Sequence, residues 1–292
     1  MVGIEQEEFL MYNFPIGVML HSFKCGTKEA IEKASKLGVQ GIQLLSTFGE
    51  NSPEELKGHK KAELMDMMKS NGLCFSALCG DFGVGFTDPE KNPELIEKSK
   101  RVLDLAKDLE TNIVTTHIGV VPEDKTCDRY KIMQEACFEL SRYADSLDAH
   151  FAIETGPEIA TTLKMFLDDL GSKGVAVNFD PANFVMVTGD DPVKGVYTLK
   201  DYIVHTHAKD GIKLADVPAE EIYKYIDEEE HSGRQYLELP LGKGNVDFDN
   251  YLKALEEVGY RGYLTIEREV GDNPAEDIGM AAEFLREKIK NL

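Results

Sequence analysis

YIVHTHAKD, residues 202–210, is a short apolar run broken by two histidines and closed by a lysine and an aspartate. As a β-strand its side chains alternate between two faces. Val204 and Thr206 share one face, and His205 and His207 share the other. In a closed barrel one face of every strand points to the lumen and the other to the surrounding helices. Seven further runs alternate with helical stretches across the chain: IGVMLHSF (16–23), GIQLLS (41–46), CFSALCG (74–80), NIVTTHIG (112–119), HFAIETG (150–156), VAVNFD (175–180) and GYLTIERE (262–269). Eight such units predict a parallel sheet covered by helices, and eight is the number that closes a TIM (β/α)8 barrel. The rival, a doubly wound open sheet, lacks a G-x-G-x-x-G after its first strand.

The helices carry their own signals. KEAIEKASKLG (28–38) has apolar residues at helical spacing and a glycine stop. SPEELKGHKKAELMDMMKSNG (52–72) opens Ser-Pro-Glu-Glu, an N-cap followed by proline, and ends Asn-Gly. Residues 92–109 and 247–259 read the same way. KLGVQGIQLL and EVGYRGYLTI echo one another, each running from a helix end through glycine into a strand. No linker or composition shift divides residues 1–292, which predicts one domain with an N-terminal extension over 1–14. Residues 211–246, after strand seven, form a long irregular insertion holding a short helix within AEEIYKYIDEEEHSG. Long loops at this end of a barrel are usually functional.

Composition narrows the function classes. The chain has 292 residues, 42% of them hydrophobic, and a formal net charge of −21. Its lysine-rich places, 57–61 and 98–101, lie among acids on amphipathic helices, so a nucleic-acid partner is not expected. No apolar run approaches the ~18 residues of a membrane span, and the acidic start predicts no secretory signal, hence a cytoplasmic protein. The five cysteines are scattered and form no C-x-x-C pair, which predicts free thiols.

Parity then places the polar residues. Phe151 and Ile153 leave Glu154 inward; Val177 and Phe179 leave Asp180 inward. Val114 and Thr116 leave Thr115 and His117 inward; Leu264 and Ile266 leave Thr265, Glu267 and Glu269 inward. The last lumen-facing position of strands four to eight is therefore His117, Glu154, Asp180, His207 and Glu267, all at strand C-terminal ends, where barrel enzymes hold their chemistry. Taken singly each has a structural explanation: Glu154 in an ion pair, Asp180 capping the turn of FDPAN, His117 as a satisfied core histidine. So many ionisable groups buried in one mouth require compensation, which a divalent cation supplies. Three carboxylates and an imidazole from Glu154, Asp180, His207 and Glu267 suit Mn²⁺, Mg²⁺, Co²⁺ or Zn²⁺.

The segments GVQGIQL, FAIETGPE, VAVNFDPANF, HTHAKDG, PLGKGNVDF and GYLTIERE, in this order, resemble the xylose-isomerase-like TIM-barrel superfamily of sugar-phosphate isomerases and epimerases, ketose 3-epimerases, inosose dehydratases and barrel-type AP endonucleases. The resemblance implies one metal ion held by Glu154, Asp180, His207 and Glu267. The resemblance further implies that Glu154 and Glu267 double as acid and base on opposite faces of the substrate. It also puts the ligand at His207 and leaves His205 one step deeper, a supporting group like Gln43. Two positions depart from the family pattern: Asn183 stands where a histidine is frequent, and Gln43 where a glutamate is frequent. Both weaken a multi-metal nuclease site. His117, Asn183, Lys209, Lys213 and Glu269 are candidate substrate contacts, with Arg234 and Asp210 near the mouth.

The implied activity is isomerisation or epimerisation of a sugar or sugar phosphate, by proton abstraction next to a carbonyl through a metal-stabilised enediolate. An inosose-dehydratase-like lyase shares the abstraction step, and a sugar-binding or partner subunit without turnover is a further alternative. The expected partner is a small carbohydrate, and the resembled family's habits imply a homodimer or homotetramer. Loops 81–93, 119–128 and 211–246 would choose the substrate; FGVGF (82–86) is a candidate lid.

Overall fold

A computed structural model describes residues 13–223 and 234–292. Eight parallel strands close into a barrel: β1 (Ile16–Met19), β2 (Gly41–Leu45), β3 (Cys74–Cys79), β4 (Ile113–Thr116), β5 (His150–Glu154), β6 (Val175–Phe179), β7 (Ile203–Ala208) and, after an added pair β8 (Asp210–Lys213) and β9 (Tyr236–Leu239), the eighth barrel strand β10 (Leu264–Ile266). Around the ring the order is β1-β10-β7-β6-β5-β4-β3-β2, so the sheet has no edge. Closure rules out the open-sheet rival.

Ten α-helices are described: α1 (Thr27–Lys36), α2 (His59–Ser70), α3 (Asn92–Asp108), α4 (Asp128–Ser146), α5 (Ala160–Leu170), α6 (Pro181–Asn183), α7 (Pro192–Leu199), α8 (Ala219–Ile222), α9 (Phe248–Glu257) and α10 (Pro274–Lys290). Among the described residues, no helix is long and apolar enough to cross a membrane. The outward residues of the strands, among them Phe151, Ile153, Val177, Phe179, Leu264 and Ile266, are buried against these helices in one continuous core. At ~1.5–3 kcal/mol for each large apolar side chain, this layer is the main force holding the barrel closed.

The structure departs from the sequence expectations at three places. The first strand ends at Met19, and Leu20–Phe23 turn as a 3-10 helix. An apolar run does not by itself distinguish a strand from a turn, and this turn is what carries His21 to the mouth. The helix expected over 52–72 begins at His59. Ser52 does start a turn, its carbonyl accepting from Glu55 and Leu56 backbone N–H groups at 3.1 and 2.8 Å. Gly58 then breaks it at φ 52°, ψ −118°, a conformation suited to glycine. Finally, the insertion after strand seven is not irregular throughout. β8 and β9 pair antiparallel, Asp210 with Leu239 through Lys213 with Tyr236. The expected helix there is represented by α8; residues 224–233 lie outside the described residues, as do residues 1–12 of the N-terminal extension.

Candidate metal centre

Strand register brings the inward residues level. Glu154 lies beside Asn178 across β5 and β6, Asn178 beside His205 across β6 and β7, and His207 beside Thr265 across β7 and β10. Asp180 and Glu267 follow their strands by one residue. Each of Glu154, Asp180, His207 and Glu267 offers a ligand atom within 4.8 Å of the others. His207 Nδ1 is 2.9 Å from Glu267 Oε2, 3.6 Å from Asp180 Oδ2 and 3.6 Å from Glu154 Oε1.

The protonation state of this histidine follows from its neighbours. Gln43 donates its amide N–H to Thr115 Oγ1 (2.8 Å), which leaves its carbonyl oxygen to accept from His207 Nε2 at 2.9 Å. A proton is thereby held on Nε2, and Nδ1 faces the carboxylates, which hold a second proton there until a cation replaces it. Behind it, His205 Nδ1 can only donate to Asn178 Oδ1 (2.8 Å), so its Nε2 accepts from the Thr265 hydroxyl (2.9 Å). Burial, aided by the neighbouring His207, holds the His205 pKa well below its usual value, so it stays neutral. Asn178 completes the chain by donating to Glu154 Oε2 (3.2 Å), and Asn183 donates to Glu154 Oε1 (2.9 Å).

Asp180 serves two ends. Its Oδ1 caps α6, accepting from the backbone N–H groups of Ala182 (2.7 Å) and Asn183 (3.0 Å). Its Oδ2 points into the cluster and is buried without a hydrogen-bond partner. With His207 Nδ1 and Glu267 Oε2 it makes three converging ligand atoms that face mainly one another, a costly arrangement in a protein interior. They fit a divalent cation, because bonds of ~2.1 Å set neighbouring ligand atoms ~3 Å apart. The donor set is hard, oxygen with one imidazole. The nearby Cys79 is no competing thiolate, since burial pushes its thiol up to about 12.

Charges around the cluster are arranged to keep its two glutamates ionised. Burial opposes ionisation of Glu267, but Lys209 and His207 overcome it and hold its pKa well below the usual range. Glu154 is likewise lowered against burial by His117 and His207. Burial raises Asp180. Lys209 Nζ lies 3.3 Å from Glu267, 2.7 Å from Glu269 and 3.9 Å from Glu238 of β9. Despite burial, these carboxylates hold it charged, well above its usual pKa. Arg268 Nη1 pairs with Glu238 at 2.7 Å.

A hollow of about 490 Å³ opens above the cluster, lined by Glu154 and Glu267 but not by Asp180 or His207. His21, His117 and Glu269 line it too. His117 Nδ1 is 3.0 Å from Asp81 and its Nε2 3.6 Å from Glu154. Burial works against its charging, but Glu154 and Asp81 raise it to about 9.

The remaining candidates fall elsewhere. Lys209 and Asn183 face carboxylates rather than the open hollow, since a buried ammonium or amide must find partners. Lys213 lines a separate hollow beside Gly189 and Asp190 and pairs with Asp216 at 2.7 Å, because the β8–β9 pair turns it away. Arg234 is exposed. Asp210 is a loop anchor: its carboxylate accepts from the backbone N–H groups of Gly211, Gly242, Gly244 and Val246 at 2.8 to 3.1 Å. Sequence reading missed Asn178, although parity with Asp180 puts it inward. It also missed Asp81, Glu238 and Tyr223, whose ring lies 6.2 Å from that of His117; they sit on a loop, the added strand pair and the end of α8, where alternation gives no guidance.

Fold and cluster together define a parallel (β/α)8 barrel with a carboxylate–histidine centre at the C-terminal ends of its strands. Residues 31–288 match the model of the xylose isomerase-like TIM barrel family, and the chain belongs to it. A curated relative, an uncharacterized protein of Methanocaldococcus jannaschii, is 24% identical over 185 residues; the match spans 59% of this chain and 56% of that protein, little more than half its length. Among solved structures, a xylose isomerase domain protein from Planctomyces limnophilus is 26% identical with a TM-score of 0.77, covering 97% of this chain and all of that one. A D-tagatose 3-epimerase-like protein has a TM-score of 0.71 at 18% identity, covering 95% and 99%. A xylose isomerase-like barrel protein from Mycobacterium smegmatis, solved in complex with magnesium, has a TM-score of 0.68 at 17% identity, covering 95% and 97%.

Proposed function

We propose that the chain is a divalent-metal-dependent sugar isomerase or epimerase, with Glu154, Asp180, His207 and Glu267 holding one Mn²⁺, Mg²⁺, Co²⁺ or Zn²⁺. The observation that carries this reading is the division of the cluster. Asp180 and His207 form its floor, while Glu154 and Glu267 also line the hollow where a substrate enters. When bound, the cation supplies Lewis-acid polarisation of a carbonyl and a neighbouring hydroxyl.

Everything else falls to side chains. Glu267, held ionised by Lys209, and Glu154, held by the amides of Asn178 and Asn183, are two charged bases on different strands. One removes the proton from the carbon next to the carbonyl; the other, having first taken up a proton from water, returns it from the opposite face and leaves the first to release its proton to water. The two exchange roles in the reverse reaction. Return to the same carbon gives an epimer, and return to the adjacent carbon an isomer. The epimerase-like neighbour supports this reading. A chain that only binds sugar has no need of two charged bases over a cation site. Glu154→Gln and Glu267→Gln should each lower turnover by about 10²- to 10⁴-fold, read as proton exchange from heavy water by NMR across ketoses, ketose phosphates and inososes. Full turnover by either variant with metal bound would sink the assignment.

A further inference from the structure

Carboxylates dominate the hollow above the cluster, with His117 as its one cationic side chain among the described residues. Among the described residues that line it there is no lysine or arginine, whereas Asp81, Glu154, Glu267 and Glu269 all do. The cationic groups nearby are already engaged. Lys209 is buried among Glu267, Glu269 and Glu238, and the two nitrogens of His117 face Asp81 and Glu154. A phosphate or carboxylate on the substrate would need a lysine, an arginine or free backbone N–H groups. Here it would meet carboxylates, and like charges brought together in an enclosed site weaken binding steeply.

The hollow also does not stop at one sugar ring. Asp81, Gly83 and His117 line both it and a second hollow of about 470 Å³, which runs on past Leu95 and Tyr223. Lys91 lines this second space, with its ammonium 2.9 Å from Asp88. Two apolar side chains stand unusually open along the groove: Phe48 is 67% and Val84 50% exposed. Each half lies within the usual size of a small-molecule pocket, about 300–1,000 Å³. An exposed aromatic face beside a polar floor suits the apolar C–H face of a sugar ring.

We propose that the substrate is an uncharged glycoside. Its carbonyl-bearing unit lies over the cluster, and its second unit, sugar or aglycone, occupies the space beyond Asp81. This rests on the cluster being the reaction centre, so the test uses polyols that bind but lack a carbonyl to react. Calorimetry on the full chain in Mn²⁺-containing buffer would compare glucitol, glucitol 6-phosphate and maltitol, the reduced disaccharide. The expected order is maltitol tightest, at least about tenfold ahead of glucitol, with glucitol 6-phosphate at least about tenfold weaker than glucitol. Asp81→Asn should narrow the gap between glucitol and its phosphate. Equal or tighter binding of the phosphate, maltitol no tighter than glucitol, or no binding of either neutral polyol at millimolar concentration overturns the proposal. The expected order without proton exchange on any carbonyl sugar would instead overturn only the isomerase reading.

Discussion

Gln43→Leu tests the centre without touching a proposed ligand. The side chain is fully buried, and the substitution roughly conserves volume, so the change is mainly chemical. It deletes the acceptor 2.9 Å from His207 Nε2 and the donor to Thr115. A buried N–H left without a partner costs about 1–3 kcal/mol. His207 can escape part of that by giving up its Nε2 proton and keeping the one on Nδ1, 2.9 Å from Glu267. The metal-free loss should therefore fall near the low end, about 1 kcal/mol. That escape is what damages the site, since the proton then occupies the nitrogen that must bind the cation. Loss of such an orienting partner typically weakens metal affinity about 10- to 100-fold. With free Mn²⁺ at a thousand times the wild-type Kd, binding stabilises the wild type by about 4.1 kcal/mol and the variant by about 1.4–2.7 kcal/mol. The metal-dependent rise in Tm should thus shrink by a few degrees, at about 2 °C per kcal/mol for a chain of this size. Thermal unfolding with chelator and with saturating Mn²⁺ reads the difference, and chelator competition gives the Kd. Gln43→Glu keeps the acceptor and should retain affinity. An unchanged metal-induced shift in Gln43→Leu would refute the reasoning.

Three further outcomes follow from the same geometry. Burial pushes the Glu158 carboxyl from 4.5 to about 8, so its contribution to stability is fully present below about pH 4.5 and lost as pH rises through 8. Glu158→Gln should therefore gain on the wild type by about 1.4 kcal/mol per pH unit across that window, in urea unfolding at about pH 5.5 and 7.5; parallel pH dependences would contradict it. Lys209→Met leaves Glu267, Glu269 and Glu238 facing one another and should cost about 3–5 kcal/mol, with part recovered when Glu238→Gln is added; denaturant midpoints decide, and additive losses would count against a shared network. Gly156→Ala forces a Cβ to 2.1 Å from Asn183 Cβ at φ +123°, displacing the amide that holds Glu154. It should destabilise the fold by more than about 2 kcal/mol, and a variant that melts with the wild type would show that the backbone relaxes there freely.

Much of the barrel was legible because its strands carry their environment in their parity. Val177 and Phe179 face helices, so Asp180 cannot; Val204 and Thr206 do the same for His205 and His207. Four strands read this way predicted four residues at one level, and the structure brings those four together. Parity fails where the chain leaves the sheet. Lys209 and Lys213 read as mouth residues because both follow β7 closely. The antiparallel β8–β9 pair carries Lys213 away while burying Lys209 behind Glu267. Asp210 read as a loop or substrate contact, and only the folded chain shows the backbone N–H groups of the distant Gly242, Gly244 and Val246 closing on it. Asp81 and Glu238 gained their meaning from neighbours 36 and 30 positions away, His117 and Arg268.

The layer beneath the cluster explains why two polar residues of the lumen differ so sharply in charge. His205 and His207 lie on one strand, one step apart on one face, with their rings 5.7 Å apart. His205 is enclosed by Asn178 and Thr265, neutral groups that satisfy both nitrogens and place no carboxylate in contact with it. His207 meets Gln43 on one side and three carboxylates on the other. Burial acts against charge on both, yet it lowers the first and is overcome at the second. A cation bound among those carboxylates would supply the charge that His207 otherwise takes up as a proton, so metal binding and protonation at Nδ1 exclude one another. Affinity for the cation should therefore fall as pH falls, and His205→Gln, which removes only the neutral layer, should leave that pH dependence in place. A pH-independent Kd, measured by chelator competition, would mean that the metal sits elsewhere.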